Sequence, residues 1–213
     1  MRNTTFISSV VLSVVCVSAA NAGVVDPFTV GSTATANDLT PTETPITGGL
    51  WDTRYTSLDY RTNRATASLI VDAVSNAATF QVTQVGAANT STYQTANLEY
   101  SNVVGVTDVS NFTSLTFNYT STFSSLIFAI DLGGKIATKT ISASAGGTFT
   151  LNASELVADG GPGEYMNLGF RQSSSNASGT FTMTNLVANG IPAPGAIALL
   201  GAAGLIGGRR RRD

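Results

Sequence analysis

Short alternations of apolar and polar residues recur along the chain from residue 64 onwards. In the segment ATFQVTQV, for example, Ala78, Phe80 and Val82 fall on one side of an extended chain, and polar residues fall on the other. Alternation with a period of two predicts a β-strand that buries one face. The pattern predicts strands in the segments 64–73, 78–85, 93–100, 114–121, 124–132, 139–145, 147–153, 166–172 and 179–188.

Turn-forming residues separate these segments. We expect turns at Ser75-Asn76, Gly133-Gly134 and Gly146-Gly147, and loops over 159–164 and 173–179. The stretch 152–156 has room for one helical turn, and no longer amphipathic helix is predicted between the two ends of the chain. The sequence therefore predicts an all-β fold, an antiparallel β-sandwich of the jelly-roll kind.

The second half of the chain resembles the jelly-roll modules of carbohydrate-binding and galactose-binding-like domains. The resemblance lies in the order of the segments 115–134, 139–156, 167–174 and 179–188, the last of which matches a closing strand. It implies a sandwich fold and includes sugar binding among the functions to be tested. Because many secreted sandwiches share this order, it fixes no ligand.

The N-terminus has the features of a secretory signal peptide. Arg2 provides a positive charge, residues 6–17 are mostly apolar, and Ala20-Asn21-Ala22 is a small-x-small cleavage motif. We expect the apolar segment to form a signal helix and cleavage to follow Ala22, which makes Gly23 the first residue of the mature chain. Cys16, the one cysteine, is removed with this segment, so the mature chain has no disulfide and no thiolate metal site.

The C-terminus combines a proline motif, an apolar segment and a basic cluster. Pro192-Ala193-Pro194-Gly195 precedes the apolar run 196–208, and the four arginines Arg209, Arg210, Arg211 and Arg212 follow. We expect the apolar run to form a short helix held briefly in the inner membrane, with the arginines on the cytoplasmic side. The predicted organisation is a signal peptide over 1–22, a β-sandwich domain over 23–190 and a sorting segment over 191–213.

This tail resembles the PEP-CTERM sorting signal of Gram-negative bacteria, with Ala193 where that family usually has Glu. The resemblance covers the last 22 residues or so. It implies export through the Sec machinery, recognition and cleavage by an exosortase-type membrane protease, and delivery to the cell surface or the extracellular matrix. It implies nothing about the fold of the body.

Charge and composition limit the function of the body. Without Arg2 and the terminal RRRRD, the 11 basic and 13 acidic residues fall to six and twelve, a net charge of −6. Domains that bind nucleic acid usually carry a basic surface, so we expect no nucleic-acid partner. The chain has no histidine, which excludes Ser-His-Asp and Cys-His catalysis and histidine-containing zinc sites.

Two-carboxylate glycan hydrolysis remains as a distant alternative. It would draw on acidic residues that form no recognisable constellation in the sequence and that we interpret as solvated loop residues. They are Asp52, Asp59, Asp72, Asp131, Asp159 and Glu164.

The densest aromatic and charged stretch surrounds the one tryptophan, Trp51. An aromatic ring flanked by planar polar side chains suits a sugar, because its C–H face stacks and its hydroxyls need partners. We therefore treat Trp51, Arg54 and Tyr55 as a candidate glycan contact. The favoured alternative makes Trp51 a core anchor and Arg54–Asp59 a structural ion pair.

The loop Asp159-Gly-Gly-Pro-Gly-Glu164 is the best candidate for a metal site. Asp159 and Glu164, with free carbonyl groups, suit Ca²⁺, although a plain turn is the default interpretation. No other cofactor is predicted.

The sequence thus favours an exported, non-enzymatic structural or adhesive protein of the cell surface or matrix. The alternative is a module that binds carbohydrate, specifically exopolysaccharide. Ice binding through threonine-rich faces is a further distant alternative, for which the Thr-x-Thr pairs are too irregular in sequence.

Overall fold

The structure, a computed structural model, describes residues 22–35, 40–60, 65–85, 94–102, 109–160, 165–172 and 178–191. The predicted signal peptide up to residue 21 and the tail from residue 192 lie outside the described residues, as do the two helices expected there. Within the described ranges, no helix has the length and apolarity needed to cross a membrane.

The described chain is all-β and antiparallel, with one short 3-10 helix at Ala153–Glu155. The helix lies within the stretch that the sequence predicted to form one turn. The strands are β1 (Ala22–Asp26), β2 (Ser32–Thr35), β3 (Thr42–Pro45), β4 (Thr53–Tyr60), β5 (Ala65–Asp72), β6 (Ala77–Gln84), β7 (Gln94–Ser101), β8 (Ser114–Leu132), β9 (Lys135–Asn152), β10 (Val157–Ala158), β11 (Met166–Gln172) and β12 (Gly179–Asn189).

Two long strands, β8 and β9, run through both layers of the fold. The N-terminal part of β8 pairs with β12, and its C-terminal part pairs with β11, while β9 follows β8 on the other side. The first layer therefore has the order β2-β5-β6-β12-β8-β9, with β1 also on β12, and the second has the order β3-β4-β7-β11-β8-β9-β10. This arrangement agrees with the predicted antiparallel sandwich, closed almost into a barrel.

A tight turn joins the two long strands. Gly133 and Gly134 both have positive φ, 59° and 73°, a conformation that glycine adopts without steric cost. Two such residues match the right-handed twist of a hairpin. The turn predicted at this position is confirmed.

The core fills the space between the layers. Phe117 and Phe181 come from the first layer, and Phe128 and Phe170 come from the second. The ring centroids of Phe170 and Phe181 lie 5.0 Å apart, and those of Phe117 and Phe128 lie 5.4 Å apart. Since rings from both sheets touch, the layers share one hydrophobic core.

Within the described residues, each of the nine predicted segments overlaps a strand over most of its length, but four of them merge into two. Segments 114–121 and 124–132 form the single strand β8, and 139–145 and 147–153 lie mainly in β9. The turn predicted at Gly146-Gly147 is wrong: both glycines lie inside β9, where the pairing with β8 shifts register. An irregularity of this kind bends a strand and lets it pass between layers.

Candidate functional site

The outer face of the second layer carries three parallel rows of side chains, each crossing the strands. Alternation sends every second residue of β4, β7, β11 and β8 outward, and the strand register places these residues side by side. We call the surface formed by the three rows the trough. The first row contains, in order, Glu43, Tyr55, Glu99, Asn167 and Asp131.

The middle row is built from short side chains. Asn97 lies opposite Ser57 on one side and Gly169 on the other, and Gly169 lies opposite Ala129. A Cβ atom built on Gly169 would lie 3.4 Å from Asn97 Oδ1 and 3.7 Å from Ala129 Cβ. The middle row is therefore a floor of short side chains, in which Gly169 is buried among its neighbours.

The third row closes the other side of the floor. Arg171 lies between Ile127 and Thr95, and Thr95 lies opposite Asp59. Across the rows on β4, β7 and β8, the outward side chains are half-buried, whereas Arg171 is exposed. The first and third rows therefore carry the longer side chains, on either side of a middle row of short ones.

Tyr165 lies at one end of the first row and is bonded to it. Its hydroxyl donates a hydrogen bond to Asp131 Oδ2 at 2.5 Å. This bond, followed by burial and by the charges of Asp131, Asp159 and Glu99, raises the pKa of Tyr165 to about 12. Tyr165 therefore stays neutral and keeps donating across the physiological range.

Two acceptor atoms in the same row are buried without a partner. Asp131 Oδ1 and the neighbouring Asn167 Oδ1 are both inaccessible to solvent and accept no hydrogen bond. Buried acceptors without donors are unfavourable. Since neither atom reaches solvent, both lie below the surface that a ligand on this face would contact.

Of the predicted glycan contact, the structure places only one residue on an outer face. Trp51 is 2 % exposed and its ring centroid lies 6.1 Å from that of Tyr100. Arg54 is 0 % exposed. Tyr55 is half-buried in the first row of the trough. Trp51 and Arg54 therefore present no surface to a sugar, and Trp51 has the environment of a core anchor.

Arg54 pairs with Asp26 on β1 and not with Asp59 as the sequence suggested. The Nη1–Oδ2 distance to Asp26 is 2.5 Å, and both side chains are fully buried. Residues five apart on a strand point to opposite faces, so Arg54 faces inward and Asp59 outward. Arg54 Nη2 also donates to the carbonyl oxygen of Val30 at 2.6 Å. Burial, followed by the charge of Asp26, raises the pKa of the adjacent Tyr100.

The predicted calcium ligands are only partly described. Asp159 is exposed, and its backbone N–H donates to the carbonyl oxygen of Gly134 at 2.9 Å. Glu164 lies outside the described residues. Among the residues that are described, no three acidic, histidine or cysteine side chains cluster as metal ligands would.

The carboxylates considered for hydrolysis are divided between the layers. Asp131 lies in the trough, whereas Asp72, at the end of β5 in the first layer, accepts bonds from Val74 N and Ser75 Oγ of its own turn. These bonds hold the pKa of Asp72 below its usual value, the bond from Ser75 having the largest effect.

The residues predicted to direct sorting are mostly outside the described part. Ala22 and Gly23 lie in β1, opposite Asn189 and Ala188 of β12. Ala20 and the tail residues are not described, namely Pro192, Ala193, Pro194, Gly195, Arg209, Arg210, Arg211 and Arg212.

Sequence reasoning missed most of the trough. Asn97 and Asn167 occupy polar positions of two predicted strands, so their outward orientation was readable. The sequence did not show that β7 and β11 are neighbours, because strand order depends on contacts between distant segments.

No protein-family model and no curated protein matches the sequence. Similar solved structures include the family 11 carbohydrate-binding module of a cellulosomal cellulase of Clostridium thermocellum, at 14 % identity and a TM-score of 0.43, covering 81 % of this chain and 96 % of that one. A family 29 carbohydrate-binding module complexed with mannohexaose matches at 14 % identity and a TM-score of 0.38, covering 77 % of this chain and 95 % of that one. These likenesses concern architecture.

Proposed function

We propose that this chain is an exported, non-enzymatic β-sandwich protein that binds polysaccharide in the trough. The observation that carries the proposal is the low middle row between two rows of polar side chains. Strands lie about 4.8 Å apart, so a channel crossing β4, β7, β11 and β8 is about 14 Å long. That length suits several linked sugar units better than a single small molecule.

The chemistry of the walls suits sugar hydroxyls. The half-buried Glu99 and the exposed Glu43 carry carboxylates that accept hydrogen bonds from hydroxyl groups. Tyr55 adds an aromatic ring to the same wall, on the strand opposite Glu99. A few well-placed polar groups combined with an apolar surface are typical of ligand sites.

The charge of the walls selects against acidic polymers. The first row contains Glu43, Glu99 and Asp131, and Asp159 lies close enough to Tyr165 to influence its pKa. Among the described residues of the three rows, Arg171 carries the one positive charge. A polyuronate or sulfated polymer would be repelled. The preferred ligand is an uncharged polysaccharide.

Filling the floor tests this function. A leucine at Gly169 would protrude into the channel, and we expect Gly169→Leu to lower affinity for a soluble neutral glucan or mannan at least about tenfold. Gly169→Ala is the matched control, because its Cβ makes only ordinary contacts of 3.4 Å or longer and leaves the channel open.

Affinity electrophoresis in gels containing neutral glucan, neutral mannan or polyuronate measures both variants, with circular dichroism as the check on folding. Retardation of the wild type by the neutral polymers, with loss in Gly169→Leu alone, is the expected result. Equal retardation of all three proteins would overturn the assignment to the trough. No retardation by any polysaccharide would overturn the function.

The proposal includes the expected route to the surface. The signal peptide, the proline motif and Arg209 to Arg212 support export and processing by an exosortase-type protease, with transient anchoring in the inner membrane. Intact-mass spectrometry of protein from native medium and cell surface should find a chain that starts at Gly23 and ends near Pro192. A chain that retains the arginines and is found only in membranes would show that the tail is a permanent anchor.

A further inference from the structure

The outer face of the first layer is polar and nearly free of charge. Threonines that are scattered in the sequence align there through the strand register. Thr79 of β6 lies opposite Thr182 of β12, and Thr182 lies opposite Thr120 of β8. We call this surface the threonine face. Its other described hydroxyl and amide side chains include Thr33, Thr35, Thr66, Ser68, Gln81, Thr83, Asn118, Thr122, Thr148, Thr180 and Thr184.

The threonine face contains a depression of about 430 Å³ where β9 changes register against β8. Gly146 and Gly147 line it and have no side chains to fill it. A Cβ atom on Gly146 would meet nothing within 4 Å. The depression is within the size range of sites for small ligands.

The groups around the depression offer hydrogen bonds but no charge. Thr120, Thr148, Thr182, Thr184 and Asn118 line it, beside Tyr119. Thr148 Oγ1 donates to Asn118 Oδ1 at 3.0 Å, which fixes the amide group. Threonine presents a methyl group and a hydroxyl side by side, and a sugar ring presents C–H and O–H groups in the same way. This lining suits a neutral sugar and gives no attraction to an ionic partner.

We propose that this depression is a second binding site for neutral polysaccharide, so that each molecule links two polymer chains. The inference rests on the proposed function of the trough. Sheets in a sandwich pack about 10 Å apart, and the trough and the depression lie on their opposite outer faces. Since the two sites face away from each other, a straight segment of polymer in one does not reach the other.

Cross-linking distinguishes this proposal from one-sided binding. The wild type mixed with a high-molar-mass neutral glucan should raise its viscosity, with a maximum at an intermediate ratio of protein to polymer. Gly146→Phe should fill the depression, remove the rise in viscosity and lower apparent affinity for the long polymer at least about tenfold, since avidity is lost. Affinity for a short oligosaccharide at the trough should be unchanged.

Three controls complete the experiment. Thr182→Trp fills the depression from another wall and covers the case in which Gly146→Phe does not fold. Val74→Phe adds similar bulk at a turn residue that is 92 % exposed and should behave as the wild type. A mixture of Gly146→Phe and Gly169→Leu should bind at one site per molecule without cross-linking.

The outcomes separate the two proposals. Binding by the wild type with cross-linking that survives both Gly146→Phe and Thr182→Trp overturns the second site and leaves the trough. If the wild type binds no polysaccharide, the proposed function of the trough is overturned, and the second site that rests on it is overturned with it. The second site is also overturned if the wild type binds polysaccharide but does not cross-link it. The same holds if the threonine face shapes ice crystals and no cross-linking is seen.

Discussion

The two outer faces of this sandwich are built by the same alternation and differ in chemistry. The trough has charged and amide side chains, mostly half-buried, around a floor at Gly169. The threonine face has hydroxyls that are mostly exposed, and the one charged residue of its described rows, Asp72, is bound to its own turn. The first face offers charged groups as well as hydrogen bonds, and the second offers hydrogen bonds alone.

The difference shows how a chain with few charged residues can still have a charged face. Charged residues make up only 11 % of the chain, yet Glu43, Glu99 and Asp131 fall in one row because β3, β4, β7, β11 and β8 are consecutive in the sheet. Strand order, and not overall composition, concentrates the charge on one face.

The largest expected effect comes from releasing the ion pair that joins the layers. Asp26 belongs to β1 in the first layer and Arg54 to β4 in the second. Asp26→Asn would leave the Arg54 charge buried without a counter-ion. We expect the free energy of unfolding to fall by about 3–5 kcal/mol, measured by urea denaturation, and both faces to lose binding together.

The matched variant replaces both partners. In the double variant Asp26→Asn with Arg54→Met no charge is buried, so most of the lost stability should return. A loss below about 1 kcal/mol in the single variant would mean that Arg54 reaches water and that the faces do not depend on this pair.

A smaller effect on the free energy of unfolding, which depends on pH, is expected for Tyr165 in the trough. Because bonding to Asp131 raises the pKa of Tyr165 from 10.0 to about 12, the neutral form stabilises the fold. That contribution is fully present below pH 10 and is lost as pH rises through 12. Tyr165→Phe should therefore be less stable by about 1 kcal/mol at pH 8, with partial solvent exposure weakening the bond. The gap should close by pH 12.

Urea midpoints at pH 8, 10 and 11.5 measure this gap. A gap that is constant over the three values would show that the Tyr165–Asp131 bond does not depend on ionisation. Thr182→Val on the threonine face provides the reference variant, because it involves no ionisable group and its effect should not change with pH.

The smallest effect is expected on the threonine face itself. Thr182→Val removes a hydroxyl that lies 3.2 Å from Thr79 Oγ1 and keeps a β-branched side chain. The free energy of unfolding should change by less than about 1 kcal/mol, with the same change at pH 5 and pH 9. A loss above about 2 kcal/mol in thermal or urea unfolding would show that these hydroxyls form a network as important to the fold as the bonds of the trough.

The strands from residue 65 onwards were readable from sequence because their inward positions are apolar. In β5, for example, Leu69 and Val71 are buried and Ile70 is exposed. The strands β3 and β4 escaped notice because polar residues occupy inward positions in them, and β1 and β2 have only five and four residues. Thr44, Arg54 and Thr56 are all buried, and the ion pair to Asp26 allows Arg54 to be there. Hydrophobic periodicity cannot detect a strand that buries charge.

Neither face could be predicted from a single segment of the sequence, because each face combines residues of several strands. The Thr-x-Thr pairs look irregular along the chain, yet Thr79, Thr120 and Thr182 meet in one row. The register between distant strands produces such rows, and alternation within one strand does not define that register. For the same reason Tyr55 was noticed, but its neighbours Glu99 and Asn167 were not.

The two long strands give the molecule a mechanical property. β8 has 19 residues and β9 has 18, and each belongs to both layers. A protein that holds a polymer on each face is pulled apart when the polymers move. Here the tension would pass along two continuous covalent backbones, so the layers could not separate by breaking hydrogen bonds alone. The β8–β9 hairpin is in this respect a covalent connection that holds the two layers together under load.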